Sequence, residues 1–230
     1  MKLAVVIPAY NEEKMIAEVV KEVRTVTPHV FVVDDGSADG TGAAAALAGA
    51  TVLRHALNRG QGAALRTGIE AAARSGAEVI VTYDADGQMS AADIPALVAP
   101  VEAGFCDVAL GSRFIVDHGP WTMDNGRMPF VRRLTLKAAL LFTRITTGMK
   151  LTDTHNGLRA FSREAAAKLD LRCDRMAHAS EILEEISRLG LRYREIPVTI
   201  KYTDYSLAKG QKLSGAFRII RDLLMSSWMK

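Results

Sequence analysis

Two aspartates one residue apart stand out in Asp84-Ala-Asp-Gly-Gln88, directly after an apolar run. Paired carboxylates suit a hard divalent cation such as Mg2+ or Mn2+, whose remaining positions go to water and substrate phosphates. Gln88 offers a further carbonyl oxygen. The same residues also fit a solvated Asp-rich turn, because Asp and Gly favour turns. A second acidic run is Asp34-Asp-Gly-Ser37. One of its carboxylates could bond a ribose hydroxyl or a base edge. Ser37 or Asp39 could also cap the helix that follows. Asn58-Arg-Gly-Gln-Gly62 opens a helix with glycines but lacks GxxxxGK[ST] and GxGxxG, so neither a P-loop ATPase nor a dinucleotide oxidoreductase is supported. Arg113, Arg132, Arg133, Arg159, Lys209 and Lys212 are the candidate anion contacts, since Arg forks match phosphate oxygens and Lys acts as a point charge. Each taken singly also fits a solvated surface residue. The five histidines form no metal-binding pattern. His178 either faces a site or simply opens a helix.

These residues must be positioned by the elements around them. In the first half, apolar runs alternate with helical spacing. Strands are expected at Leu3–Ile7, Val30–Val33, Thr51–Arg54, Val79–Tyr83 and Val108–Leu110. Helices are expected at Glu12–Val26, Ala43–Ala48, Gly62–Ser75 and Ala91–Glu102. Near-continuous apolar strands separated by helices indicate a mostly parallel sheet with helices on both faces. Ligands in open α/β sheets bind outside the carboxyl ends of the strands. The polar runs at 8–12, 34–41, 58–62, 84–88 and 111–114 all follow strands, so they meet on that edge. The second half is expected to hold two basic amphipathic helices, Val131–Thr147 and Leu213–Trp228. Between them come a polar loop at Thr152–Arg159 leading into Ala160-Phe161, a helix at Ser180–Leu189, and an edge strand at Tyr193–Tyr202 containing Pro197.

Composition fits a soluble globular protein, and the length fits one large domain or two small ones. The chain has 230 residues, 49% of them hydrophobic and 24% charged, enough apolar material to bury a core. Two cysteines cannot build a disulfide framework, so a reduced, cytoplasmic setting is the simpler reading. The net charge of +3 hides an asymmetry. Residues 1–110 hold 8 basic and 14 acidic side chains, whereas residues 111–230 hold 21 and 12. Such a split suggests acidic groups for a cation in the first half and basic groups for anions in the second. Aromatic residues make up only 6% and the first half is acidic, which argues against nucleic-acid binding.

In combination these motifs resemble the family 2 glycosyltransferases of GT-A fold, and among them the dolichyl- and polyprenyl-phosphate mannose synthase group. The matching pieces are Val6-Ile-Pro-Ala-Tyr-Asn-Glu-Glu13, Val32-Val-Asp-Asp-Gly-Ser37, Gly60-Gln-Gly-Ala-Ala64, Asp84-Ala-Asp-Gly-Gln88, Gly111-Ser-Arg113 and Thr152-Asp-Thr-His-Asn-Gly-Leu-Arg159, in family order. The resemblance implies a Rossmann-like GT-A catalytic domain over residues 1–230, with a nucleotide-binding half to about 115 and an acceptor-side half beyond. It implies a nucleotide-sugar pocket of Pro8, Tyr10, Glu12, Val33, Asp35, Asp84 and Ala85. Mg2+ or Mn2+ would sit on Asp84, Asp86 and Gln88, and Asp86, Arg113, Arg133 and Arg159 would serve catalysis. Asp153, Glu181, Lys209 and Lys212 are the acceptor-side candidates.

The implied reaction moves a sugar, with inversion, from a UDP- or GDP-sugar to a polyprenyl phosphate. A saccharide hydroxyl as acceptor and a nucleotidyltransferase are the alternatives. A hydroxyl acceptor needs a carboxylate base, for which Asp153 and Glu181 are the candidates. Peripheral contact with the cytoplasmic face of a membrane, or a membrane partner subunit, would suit the basic half.

Overall fold

In the computed structural model, the structure describes residues 2–115, 140–141, 143–154, 156–172 and 178–201. Strand β1 (Leu3–Ala9) is followed by α1 (Ile16–Arg24), β2 (Val30–Asp34), α2 (Thr41–Leu47), β3 (Thr51–Arg54), α3 (Gln61–Arg74) and β4 (Val79–Thr82). A single 3-10 turn at Ala91–Asp93 runs into α4 (Ile94–Glu102), and β5 (Val108–Ser112) ends the first half. Then come β6 (Arg159–Ser162), α5 (Arg163–Lys168), α6 (His178–Arg188) and β7 (Tyr193–Pro197).

The seven strands form one sheet in the order β3-β2-β1-β4-β6-β5-β7. All the pairings are parallel except those of β6, which runs antiparallel between β4 and β5. The sequence pattern reads residues 152–159 as a loop and stops short of making Arg159–Ser162 a strand. Four residues carry too little periodicity to reveal pairing between two partners distant in sequence. The β6 insertion has a direct consequence for the site. It pairs Arg159 with Thr82 on one side and Leu110 on the other, two residues before Asp84 and three before Arg113.

The alternation of side chains along each strand feeds two cores, one on each face of the sheet. Val5, Ile7, Val30, Val32 and Val81 pack under α1 and α4. Ala4, Val6, Phe31, Ile80, Val108 and Phe161 pack under α3, α5 and α6. The spacing of Ile16, Val19, Val20 and Val23 gives α1 one buried face, as the sequence pattern requires. Fully burying each such side chain is worth about 1.5–3 kcal/mol. Helix α3 packs closely on the sheet where Gly68 faces β1. A Cβ there would overlap Val6 Cγ1 and come within 3.1 Å of Val33 Cγ2.

Helix α1 begins at Ile16, four residues later than the spacing predicts. Asn11 has a positive φ of 53°, and the Glu12 carbonyl accepts the Met15 and Ile16 N–H groups in a turn. This turn leaves Glu12 at the strand end. β7 is an edge strand, as Pro197 predicts, and it ends there rather than at Tyr202. Residues 198–201 continue as a strap over the loop after β4. Lys201 N–H donates to the Gln88 carbonyl at 2.7 Å, and Thr199 N–H to Asp93 Oδ2 at 2.7 Å. Of the helix expected over Val131–Thr147, residues 143–147 are helical and most of the rest lies outside the described residues. The whole Leu213–Trp228 helix lies outside them.

Candidate active site

The carboxyl ends of β1, β2 and β4 surround a cleft of about 460 Å³. Its walls include Pro8, Tyr10 and Glu12 from β1 and the turn after it, Asp35 after β2, and Asp84, Ala85 and Asp86 after β4. Six of the seven predicted nucleotide-pocket residues therefore meet in one cavity with Asp86. The exception is Val33. It is wholly buried in mid-sheet, with its side chain toward Gly68 of α3, and it is not part of the cleft wall. Val33 lies two residues short of Asp35, still within the β2 ladder and beneath Gly68 of α3, so its side chain is in the core.

The loops are tied to one another before any ligand is considered. Asn11 Oδ1 accepts the Ala38 N–H at 3.0 Å, and Asn11 N–H donates to Ser37 Oγ at 3.0 Å. Asp34 is fully buried and accepts the Ser37 N–H at 2.9 Å. Asp39 accepts the Thr41 N–H at 3.0 Å, but the N-cap of α2 is Gly40, so neither Ser37 nor Asp39 caps the helix. Asp35 is left to face the cleft. Its Oδ1 accepts the Arg59 N–H at 3.0 Å and its Oδ2 accepts the Gly60 N–H at 2.7 Å.

Asp84 and Asp86 present the hard oxygens that Mg2+ or Mn2+ requires. Asp84 is half-buried, and Gln61 Nε2 donates to its Oδ1 at 3.1 Å. Burial and the Asp86 charge push its carboxyl up to about 6, against the pull of Arg159, Gln61 and Arg113. Two crowded carboxylates in a cleft form a donor set whose repulsion a dication would relieve, so these residues fit the group. Gln88 plays a different part. Its N–H donates to Asp86 Oδ1 at 3.0 Å and its carbonyl accepts from Lys201, so it shapes the turn. Gln88 is not part of the cleft wall. Among the described residues no group of three or more His, Cys, Asp or Glu side chains that could hold a metal ion is present.

Behind Asp84 lies a basic layer. Arg159 on β6 is buried, and its Nε donates to the Asn156 carbonyl at 3.1 Å. Burial pulls its guanidinium down to about 10, opposed by Asp84 and Asp153, so it stays charged at neutral pH. Arg113 forks onto Asp153, with Nε–Oδ2 at 2.6 Å and Nη2–Oδ1 at 2.8 Å. The Asp153 side chain is 1% exposed and that of Arg113 22%. Asp153 is itself anchored by Glu195 of β7, whose Oε1 accepts the Asp153 N–H at 3.1 Å and the Thr152 N–H at 2.9 Å.

The acceptor-side carboxylates have partners within the protein. Asp153 is held by a two-pronged arginine, and Glu181 Oε1 accepts the Arg172 N–H at 2.8 Å on the first turn of α6. Both carboxylates therefore have structural partners. His178 opens α6 and is buried, in keeping with a helix-start role. Arg132, Arg133, Lys209 and Lys212 lie outside the described residues.

Some of the site escapes sequence reasoning. Asn58, Gly60 and Gln61 line the cleft. Their glycine-rich run signals a ligand loop without assigning a role. Glu195 gives no signal, because its importance comes from the β5–β7 pairing. Gly157 is packed against Asp84, where a Cβ would lie 2.7 Å from Oδ1.

Known proteins resemble this chain in sequence and fold. An uncharacterized protein of Methanocaldococcus jannaschii is 39% identical over 97% of this chain and 91% of its own length. The UDP-N-acetylglucosamine–dolichyl-phosphate N-acetylglucosaminyltransferase of Methanococcus voltae is 32% identical over 96% of this chain and 94% of its own. Glucosyl-3-phosphoglycerate synthase from Mycobacterium tuberculosis, solved with Mn2+, UDP-glucose and phosphoglyceric acid, superposes with a TM-score of 0.72. It is 23% identical and covers 97% of this chain and 79% of its own, a likeness of fold. The family model for glycosyl transferase family 2 matches residues 4–170, the stretch that carries the strand-end aspartates and the Thr152–Arg159 loop. The chain belongs to that family and is a glycosyltransferase.

Proposed function

We propose that the protein transfers a sugar from a nucleoside diphosphate sugar to a polyprenyl phosphate, inverting the anomeric carbon, with Mg2+ or Mn2+ held by Asp84 and Asp86. The observation that carries this reading is the convergence of Asp35, Asp84 and Asp86 on one cleft at the strand ends. Relatives add support. The Methanococcus voltae enzyme is named for a UDP-sugar and dolichyl phosphate, and the mycobacterial synthase was solved with Mn2+ and UDP-glucose.

Each group has work that follows from its chemistry. A bound dication would neutralise charge that develops on the departing diphosphate. Asp84 and Asp86 supply its protein oxygens. Asp35 accepts from hydroxyl or N–H groups of the nucleoside, and Tyr10, 46% exposed, stands at the rim where a base could stack. Arg159 sets a buried positive charge behind Asp84, and Arg113 brings another to the acceptor side.

The engaged carboxylates support a phosphate acceptor. A hydroxyl nucleophile needs a base, and the two residues suited to that role, Asp153 and Glu181, are committed to Arg113 and to the Arg172 backbone. A phosphate monoester is already an anion and attacks without losing a proton. It needs cations to hold it, which the second half supplies in excess. Contact with a membrane at its cytoplasmic face is part of the proposal. Leu141 and Ile145, one helical turn apart, are 60% and 74% exposed. Among the described residues no helix is long and apolar enough to cross a membrane.

The test is calorimetric titration of the protein with UDP and GDP, each with Mn2+ and with EDTA. One nucleotide is expected to bind with Mn2+ and to lose most of its affinity in EDTA or in Asp86→Ala. Equal binding with and without the cation would mean that Asp84 and Asp86 do not bind nucleotide through a metal.

A further inference from the structure

We propose that His55 is a positioning residue of the nucleotide cleft, acting through Asp35. The inference rests on the nucleotide reading above and adds a residue that no motif assigns. His55 follows β3, and its backbone N–H extends the β2–β3 ladder to the Asp34 carbonyl at 2.9 Å. Its ring is turned inward, with a side chain only 10% exposed. Nδ1 lies 2.7 Å from Asp35 Oδ1, and Nε2 lies 3.0 Å from Thr67 Oγ1 on α3.

The chemistry of the partners fixes half of the tautomer. A carboxylate only accepts, so Nδ1 carries a hydrogen and donates it to Asp35. Thr67 Oγ1 is also 3.0 Å from the Ala63 carbonyl. Its single proton goes either to that carbonyl, which makes the ring doubly protonated, or to Nε2, which leaves the ring neutral. In both states the Nδ1–H···Asp35 bond is made.

Asp35 thus receives three donors from one short loop: His55 Nδ1, Arg59 N and Gly60 N. The loop wraps the carboxylate, and its residues Asn58, Gly60 and Gln61 form part of the cleft wall. The backbone of Leu57 and Asn58 lies so close over Gly36 that a Cβ there would come within 2.7 Å of both. Gly60 N–H takes Oδ2, while Arg59 N–H and the His55 imidazole, braced by Thr67, share Oδ1. Without the imidazole Asp35 keeps only its two main-chain donors, and the acceptor that meets the nucleoside is aimed less firmly.

Side-chain geometry provides a discriminating test. The amide nitrogen of Asn can stand where Nδ1 stands, and that of Gln where Nε2 stands. Binding of UDP and GDP with Mn2+ is measured by calorimetry for wild type, His55→Ala, His55→Asn and His55→Gln, with melting temperatures alongside. Loss of an aimed bond to a charged group predicts about tenfold or more weaker nucleotide binding in His55→Ala and His55→Gln, with His55→Asn recovering most of it. In an Asp35→Ala background, His55→Ala is expected to cost no further affinity. Equal affinities for wild type and His55→Ala, or equal losses in the Asn and Gln variants, would overturn the positioning role. So would a full additional loss in the Asp35→Ala background. Wild-type protein that binds neither nucleotide would overturn the nucleotide reading itself, and this inference with it.

Discussion

Gly157 stands against the Asp84 carboxylate so closely that a methyl group on it would lie 2.7 Å from Oδ1 and nearer still to Oδ2. Thr82 Oγ1 donates to the Gly157 carbonyl at 2.7 Å, which pins the glycine beside the strand that carries Asp84. The acceptor-side loop and the donor-side aspartate are thus built as one unit. Gly157→Ala must move either the loop or the carboxylate. It is expected to reduce transfer about a hundredfold, the scale on which small misplacements act in an active site. Circular dichroism and melting should report a folded protein. Transfer within threefold of wild type would show that the contact carries no functional constraint.

Asp84 ties function to pH in the metal-free protein. Its carboxyl titrates near 6 when folded and near 3.8 when unfolded. Between those values the native state holds a proton that the unfolded state has released, so its contribution to stability falls as pH rises and is fully lost above about 6. In EDTA, Asp84→Asn is therefore expected to raise the melting temperature at pH 7.5 and to leave it nearly unchanged at pH 4, while abolishing transfer. A lower melting temperature at pH 7.5 would contradict the crowding of the two aspartates.

The Arg113–Asp153 pair makes a stability prediction. Removing one partner of a pair this buried leaves the other uncompensated, at a cost of about 3–5 kcal/mol. Asp153→Ala is expected to approach that cost in chemical denaturation and to depress transfer through Arg113. Arg113→Ala/Asp153→Ala together should cost less than the sum of the single changes. Strict additivity would mean that the pair is not coupled.

Glu195 lies far from the cleft in sequence and anchors the loop through the Thr152 and Asp153 N–H groups. Glu195→Ala is expected to destabilise the fold by about 0.5–1.5 kcal/mol, the net worth of its bonds to the Thr152 and Asp153 N–H groups, the first exposed and the second half-buried. Its effect on transfer should exceed its effect on nucleotide affinity. Titration and initial rates separate the two, and a loss confined to nucleotide binding would contradict the assignment of this loop to the acceptor side.

Much of the architecture is legible in the sequence because buried strands and α1 carry strong periodic patterns. Thr51–Arg54 appears at the expected residues, and Val30–Asp34, Val79–Thr82 and Val108–Ser112 differ from expectation only at their ends. Strand β6 is hidden because four residues hold no period and its partners are remote. The donor side of the site is legible for a topological reason: motifs that follow parallel strands fall on one edge. Val33 misleads because a motif does not say how far along a strand the core ends and the cleft begins. His55, Gly157 and Glu195 are invisible for a related reason. Their importance comes from what lies beside them in space: a carboxylate on another loop, an aspartate across the β4–β6 pair, and a turn held by an edge strand.

The central claim is metal-dependent sugar transfer to a lipid phosphate. Its most direct measurement uses UDP- and GDP-sugars labelled in the sugar, polyprenyl phosphate in detergent, and wild-type or Asp86→Asn protein, with Mn2+ or EDTA. The label is then counted in the organic-extractable lipid. With one of the donors, wild type in Mn2+ is predicted to form labelled lipid that is stable to mild base and cleaved by mild acid, while EDTA and Asp86→Asn reduce it to background. Label that stays in the aqueous phase with every donor, in protein that binds nucleotide and Mn2+, would contradict the lipid-phosphate acceptor.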